Sequence, residues 1–129
     1  MKGFGEKKKS SQKQPANKFA RIPADKLKAI AFQYHMSGNL DEASKAYQAF
    51  LNNGFSDPDV FSNYALLCQT RGELKKALNI YQKSVTVFPG HAFSHANLGY
   101  LYLELGSLDE AEVSTRKAIE LQTELANAH

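Results

Sequence analysis

Apolar residues recur along most of the chain at intervals of three and four positions, the spacing that places them on one face of an α-helix. Segments such as LKAIAFQYHM, FSNYALLCQT and HANLGYLYLEL show this spacing, and a glycine follows each of them. A second segment with the same spacing comes after each glycine. The pattern therefore predicts an all-α chain in which the helices form three pairs.

The helix pairs repeat with a period of 34 residues. The period relates the glycine that follows each first helix and an alanine in each second helix: Gly38, Gly72, Gly106, Ala43, Ala77 and Ala111. It also relates Ala31, Ala65 and Gly99 in the first helices. A fixed period of this length is typical of a solenoid, in which each unit packs on its neighbours. The predicted units are residues 24–57, 58–91 and 92–125.

The residues between the segments predict where the helices begin and end. Glycine favours the left-handed conformation that ends many helices, since it has no side chain to clash. Two pairs have the spacing of a capping box at the start of a second helix: Asn39 with Glu42, and Ser107 with Glu110. Asp57 followed by Pro58 predicts an N-cap and the first turn of another helix.

Several residues of the third unit are arranged as in a known repeat family. They are Leu98-Gly99, Tyr102, Gly106, Ala111 and, at the end of the preceding unit, Pro89. With the 34-residue period they resemble the tetratricopeptide repeat, TPR, over residues 24–125. The signature tryptophan is absent, and Leu27, Phe61 and His95 stand in its place. The resemblance implies a right-handed solenoid of three helix-turn-helix units, and the third unit is also similar to bacterial TPR arrays that often precede a transferase domain.

By this resemblance, the first helices form a concave groove that binds an extended peptide or a helix of a partner protein. Nine residues lie at groove positions: Lys28, Phe32, Met36, Asn63, Leu66, Thr70, Asn97, Tyr100 and Glu104. An amide both donates and accepts hydrogen bonds, so Asn63 and Asn97 are suited to hold a peptide backbone, although simple solvation of both stays an alternative. The carboxylate clamp of chaperone-binding TPR modules is rejected, since only Lys28 resembles one of its residues.

The resulting interpretation is a protein-interaction scaffold. The alternative is a substrate-recruiting arm of a larger glycosyl-, methyl- or sulfotransferase. An enzyme is not favoured, and no catalytic, cofactor-binding or metal-binding residue is predicted. His91 and His95 have a spacing that suits zinc when both lie in one helix, but no third ligand accompanies them. Cys68 occupies the repeat position of Tyr34 and Tyr102 and is expected to be a buried apolar residue.

Charge is distributed unevenly along the chain. Residues 1–21 hold seven basic residues and one acidic residue, whereas the remainder holds nine basic and twelve acidic residues. Residues 1–20 contain few branched apolar side chains, so they are predicted to be a disordered basic tail whose deletion leaves the melting temperature nearly unchanged. Binding of nucleic acid or an anionic surface through this tail is the least favoured function.

The last residues align with the start of a repeat, because Ala126 matches Ala92 and His129 matches His95. Residues 126–129 are therefore predicted to begin a fourth unit of a longer parent protein. An uncovered last helix would fray and predicts self-association through this end. The single cysteine, with no apolar signal peptide or membrane span in the sequence, favours a cytoplasmic location. The resemblance to bacterial TPR arrays implies a bacterial source.

Overall fold

The computed structural model describes residues 18–128, and all of the regular structure in this part of the chain is helical. The helices are α1 (Ala24–Met36), α2 (Leu40–Asn52), α3 (Pro58–Thr70), α4 (Leu74–Val87), α5 (Ala92–Glu104) and α6 (Leu108–Asn127). Each predicted unit contributes one helix pair. The expected all-α repeat fold is therefore confirmed.

The helices stack into an α-solenoid. Each helix packs against the next one along the chain, and α3 also packs against α5. We call the side formed by α1, α3 and α5 the first-helix face, and the side formed by α2, α4 and α6 the second-helix face. None of the helices in the described part of the chain is both long and apolar enough to cross a membrane.

Small residues set the distance between the helices of a pair. Four alanines related by the period are fully buried: Ala31, Ala43, Ala65 and Ala77. At Gly99 the helices come so close that a β-carbon would lie 2.6 Å from Oγ1 of Thr115 and 3.4 Å from the carbonyl oxygen of Ala111. Helices α5 and α6 thus pack at a distance that only glycine allows without a shift.

The predicted N-cap at the start of α3 is confirmed. The Asp57 carboxylate oxygen Oδ1 accepts hydrogen bonds from the backbone N–H groups of Asp59 at 2.8 Å and Val60 at 3.1 Å. The Asp57 backbone is extended, with φ −162° and ψ 130°, which directs its side chain toward these groups. The cap therefore satisfies two of the N–H groups that the first turn leaves without a partner in the helix.

The predicted capping boxes at the starts of α2 and α6 are wrong. Neither Asn39 nor Ser107 makes a side-chain cap hydrogen bond. Each follows a left-handed glycine and has a ψ of 75° or 76°, far from the extended value that aims a cap side chain at the helix. Glu42, which was expected to complete the first box, instead pairs with Lys18 at 2.6 Å and Lys45 at 3.4 Å.

We expect Asp57 to make the stability of the chain depend on pH in acid. Partial burial tends to raise the pKa of its carboxyl, but hydrogen bonds from Lys28, Val60 and Asp59 outweigh this effect, and the pKa lies below its ordinary value. Because the folded pKa is the lower one, the carboxylate stabilises the fold above the unfolded pKa of about 3.9. This stabilisation is lost as the pH falls through the folded pKa.

Urea unfolding of the wild type and of Asp57→Ala, at pH 7 and again at pH 2, measures this contribution. The variant should be less stable by about 1–2 kcal/mol at pH 7, and the difference should shrink at pH 2. Asp25→Ala, at an exposed acidic position in the first turn of α1, is the matched control. A difference that stays the same at both pH values would contradict the assignment.

Three residues of the predicted tail fall within the described part of the chain, and they pack on the first unit. Residues 18–20 belong to a turn, and the Phe19 side chain is 6% exposed and lies in the hydrophobic core. The Asn53 amide donates a hydrogen bond to the Phe19 carbonyl oxygen at 3.3 Å. The prediction that residues 1–20 stay outside the core is therefore wrong at Phe19, while residues 1–17 lie outside the described residues.

Helix α6 continues through the position where the repeat predicts a turn. It is a single helix of 20 residues that ends at Asn127. Pro89 and Gly90 separate α4 from α5, whereas Thr123 and Glu124 stand at the matching positions and do not end a helix. The prediction that residues 126–129 begin a new helix is therefore wrong for the described residues, and self-association through this end stays a prediction.

Candidate functional site

A cleft of about 300 Å³ lies between α1 and α3 on the first-helix face. Six residues line it: Phe32, His35, Met36, Tyr47, Asn63 and Leu66. Four of the nine predicted groove residues therefore meet in it. The cleft exists because α1 does not pack on α3 as closely as α5 does.

The walls of the cleft are apolar and accessible. Met36 is 88% exposed and Leu66 is 43% exposed. Phe32 is half-buried and packs edge-on against Tyr47, with ring centroids 6.2 Å apart. Because methionine is flexible and polarisable, this wall can adapt to apolar groups of different shape.

His35 and Tyr47 form the floor, and the sequence interpretation placed neither of them in the groove. Nδ1 of His35 lies 2.7 Å from the Tyr47 hydroxyl oxygen, and the two rings meet edge to face. Burial raises the pKa of the Tyr47 hydroxyl and lowers the pKa of His35. Both groups are therefore neutral near pH 7, so the hydrogen bond joins a phenol to an uncharged imidazole and the floor carries no charge.

The 34-residue period contains a signal for this floor. One repeat further on, Gln69 takes the place of His35 and Tyr81 takes the place of Tyr47. The Tyr81 hydroxyl donates to Oε1 of Gln69 at 3.4 Å. A buried tyrosine bonded to a polar residue of the preceding helix is thus a feature of the first two units, and comparing the two units position by position would have found it.

Asn63 brings a polar group to the edge of the cleft. Its side chain is half-buried, as is that of Asn97 at the matching position on α5. Within residues 18–128, neither side-chain amide forms a hydrogen bond. Both amides therefore keep a donor and an acceptor for an external partner.

Lys28 and Thr70, also predicted for the groove, are used within the fold. Nζ of Lys28 lies 2.9 Å from Oδ2 of Asp57, so the N-cap carboxylate neutralises its charge. The Thr70 hydroxyl donates to the carbonyl oxygen of Leu66 at 2.9 Å. Neither residue lines the cleft.

Three predicted residues on α5 extend the first-helix face beyond the cleft: Asn97, Tyr100 and Glu104. Ser62 of α3 and Ser94 of α5 share a buried hydrogen bond of 2.9 Å, and these small side chains let the two helices touch. Glu104 accepts a hydrogen bond from Gln69 across the same pair of helices. Tyr100 is 67% exposed. The three α5 residues therefore lie on an open surface beside the cleft and do not line it.

His91 belongs to a polar cluster around the buried Ser94 hydroxyl. Its Nδ1 lies 2.7 Å from the hydroxyl of Ser94, and its Nε2 lies 3.4 Å from Oδ1 of Asp59. These residue types occur in hydrolase triads, but Ser94 is fully buried and its hydroxyl also contacts Ser62 and Ser84, each at 2.9 Å. A substrate cannot reach this hydroxyl, so the cluster is structural.

His95 and Cys68 also have structural surroundings. Nε2 of His95 lies 2.9 Å from the carbonyl oxygen of Pro89. Cys68 is fully buried, as expected, and burial raises the pKa of its thiol to about 11, which keeps it protonated. In the part of the chain that the structure describes, no three histidine, cysteine or carboxylate side chains come together as metal ligands.

The repeat architecture agrees with a known family. The family described as "Cilia and flagella-associated protein 70 middle TPR-like domain" matches residues 27–129. The chain belongs to this family. The resemblance to TPR proteins is thereby confirmed, and the match includes part or all of each unit.

Two curated relatives share part of this TPR-like sequence. Uncharacterized protein YgeG of Escherichia coli (strain K12) is 29% identical over 70 residues, which are 54% of this chain and 43% of that protein. The CTR9 homolog of Arabidopsis thaliana is 31% identical over 103 residues, which are 77% of this chain and 9% of that protein. The chain thus spans less than half the length of either relative.

Three solved structures have a similar fold. MamA has a TM-score of 0.75 at 24% identity, over 81% of this chain and 61% of that one, which shows the fold alone. PcrH of Pseudomonas aeruginosa, in complex with the chaperone binding region of PopB, has a TM-score of 0.71 at 26% identity, over 76% and 79%. SycD of Yersinia enterocolitica, in complex with a peptide of the translocator YopD, has a TM-score of 0.70 at 25% identity, over 75% and 74%.

Proposed function

We propose that the chain is a protein-interaction scaffold that holds an extended peptide on its first-helix face. An apolar side chain of the peptide occupies the cleft between α1 and α3. The observation that carries this proposal is the combination of accessible apolar walls, an uncharged floor and an amide at the edge that has no hydrogen bond of its own.

The chemistry of the cleft favours an apolar anchor on a peptide backbone. Met36 and Leu66 lose exposed apolar area when a side chain enters between them, at about 25 cal/mol per Å². The Asn63 amide can bond to both an N–H and a carbonyl of an extended backbone, and Asn97 can do the same further along α5. A binding mode of this kind selects one apolar side chain of the peptide and tolerates many different residues on either side of it.

The complexes of two similar structures support a peptide as the ligand. PcrH and SycD are each solved with a segment of another protein bound. Such a scaffold acts by binding and needs no reacting group. Nothing in the described part of the chain bears on the alternative of a transferase arm, which stays a prediction.

The test begins with a peptide library displayed on phage and selected against the full chain, and a selected peptide then serves as the probe. Asn63→Ala combined with Asn97→Ala should weaken its binding by at least about 5- to 150-fold, because each amide supplies at least one hydrogen bond worth about 0.5–1.5 kcal/mol. Isothermal titration calorimetry measures the dissociation constant. Circular dichroism should show an unchanged helix content.

The matched control is Asn39→Ala combined with Asn79→Ala, which removes two exposed amides that lie outside the cleft and form no side-chain hydrogen bond within residues 18–128. This pair should leave the affinity unchanged. Equal weakening by both pairs, or unfolding of the Asn63 and Asn97 variant, would show that the first-helix amides do not form the binding site.

A further inference from the structure

Two grooves on the second-helix face differ in charge, and the first of them is lined by lysines. It lies between α2 and α4, has a volume of about 430 Å³, and has Phe61 and Tyr64 of α3 in its lining. Lys76 and Lys83 of α4 supply its charge, and the described residues that line it include no carboxylate. We call it the basic groove.

The second groove lies between α4 and α6 and has the opposite charge. Its volume is about 490 Å³, and Val85, Leu98 and Val113 make much of its lining apolar. Asp109 and Glu110 of α6 supply its charge, and no lysine or arginine is among the described residues that line it. We call it the acidic groove.

The charge changes sign at matching positions of the repeat. Lys75 and Lys76 begin α4 where Asp109 and Glu110 begin α6, 34 residues later. As whole helices, α4 carries three lysines and no acidic residue, whereas α6 carries five acidic and two basic residues. The two helices thus have formal charges of equal size and opposite sign.

The charges that line the grooves are available to a partner. Lys76, Lys83, Asp109 and Glu110 are all exposed, and none of them forms an ion pair within residues 18–128. The Lys76 ammonium does lie over the Tyr64 ring, 5.3 Å from its centroid. Val113, beside the acidic pair, is 69% exposed. Each groove therefore combines apolar area with unpaired charge of one sign, as the complementary halves of a polar protein interface do.

We propose that the second-helix face is an interface between two copies of this chain. Helix α6 of each copy lies in the basic groove of the other, and α4 of each copy lies in the acidic groove of the other. A two-fold axis parallel to these helices produces both contacts at once, because it reverses the order of α2, α4 and α6 across the face.

This arrangement places acidic α6 among the lysines and basic α4 among the carboxylates, and it leaves the cleft on the first-helix face open. It is independent of the peptide-binding proposal. It also differs from self-association through the end of the array, where α5 and α6 expose Leu103, Leu108 and Ile119.

Sedimentation velocity of the full chain over a dilution series tests the interface. The wild type should change from monomer to dimer with rising concentration, and raising NaCl from about 50 mM to 500 mM should weaken the dimer by about tenfold or more. Variant A (Lys76→Glu, Lys83→Glu) and variant B (Asp109→Lys, Glu110→Lys) should each stay monomeric where the wild type is dimeric. Circular dichroism checks that both are folded.

Mixing the two variants is the decisive measurement. Variant A has two acidic grooves and variant B has two basic grooves, so an equimolar mixture should form a 1:1 complex that neither variant forms alone. Two separate charge reversals on α1, Asp25→Lys and Lys26→Glu, raise and lower the net charge away from both grooves, and each should leave the wild-type dimer unchanged.

Three results would overturn the proposal: a wild type that is monomeric at all concentrations, charge variants that associate like the wild type, or a mixture that stays monomeric. Leu108→Ser with Ile119→Ser separates the two surfaces. Loss of the dimer in this variant, with retention in variants A and B, would assign the contact to the end of the array instead.

Discussion

Replacing Tyr47 by alanine is expected to lower the free energy of unfolding by about 3–5 kcal/mol, the usual cost of removing a large buried aromatic side chain. The Tyr47 side chain is fully buried and stacks on Tyr64 of the next unit at 5.4 Å between ring centroids. It also forms the floor under Phe32. Its loss therefore damages the junction between the first two units as well as the cleft.

Tyr47→Phe is the matched control, because it keeps the ring and removes only the hydroxyl. It leaves Nδ1 of His35 without its partner, which should cost about 0.5–1.5 kcal/mol. Urea unfolding followed by circular dichroism measures both variants. A Tyr47→Ala protein within 1 kcal/mol of the Phe variant, as an order-of-magnitude limit, would mean that the ring contributes little to the junction.

The second large effect on the free energy of unfolding is expected from removal of Phe19. Truncation to residues 18–129 should leave the stability close to that of the full chain, whereas truncation to residues 21–129 should cost about 3 kcal/mol, because it removes a buried aromatic side chain. The longer deletion also removes the Lys18 ammonium that pairs with Glu42 and the carbonyl that accepts from Asn53.

Phe19→Ala in the full chain separates the ring from the rest of the segment, and Lys18→Ala is its exposed neighbour and control. Thermal unfolding of the four proteins gives the comparison. Two truncations with equal melting temperatures would restore the original view that the first 20 residues have no part in the core.

The 34-residue period was sufficient to predict most of the fold, because residues at equivalent positions of the repeat have similar environments. Gly38, Gly72 and Gly106 adopt φ values of 82°, 80° and 78°, as a glycine after a first helix should. The close approach at Gly99 follows from its alignment with two alanines. Such positions can be predicted because three examples in one chain support each other.

The features that the sequence did not reveal depend on single side chains or on backbone angles. Phe19 lies in a segment whose average composition is polar, so composition alone assigned it to the tail. The capping boxes failed at Asn39 and Ser107 because each has a ψ of 75° or 76°, a backbone angle that residue spacing does not predict. The end of α6 was predicted too early, because the repeat alignment places a turn at Thr123 and Glu124. These residues lack the Pro-Gly sequence that ends α4 at the matching positions.

For the cleft, the sequence predicted four residues of the walls and edge. It did not predict the floor, or that the cleft lies between α1 and α3 alone. The 34-residue period makes the groove positions on all three first helices equivalent, whereas α3 packs more closely on α5 than on α1. That difference follows from Ser62 and Ser94, whose hydroxyls pair between α3 and α5. Side-chain pairing of this kind is a property of two neighbouring units and is invisible within one repeat.

The same hydroxyls limit how freely the units could be exchanged. Ser84 corresponds to Phe50 one repeat earlier, and Ser94 corresponds to Val60. A rearranged chain with the third unit placed directly after the first would set Ser94 beside Phe50, where the serine hydroxyl would lack its partners at a cost of about 1–3 kcal/mol. The units are thus equal in length but not interchangeable, because the side-chain contacts between neighbouring units are satisfied only in the natural order.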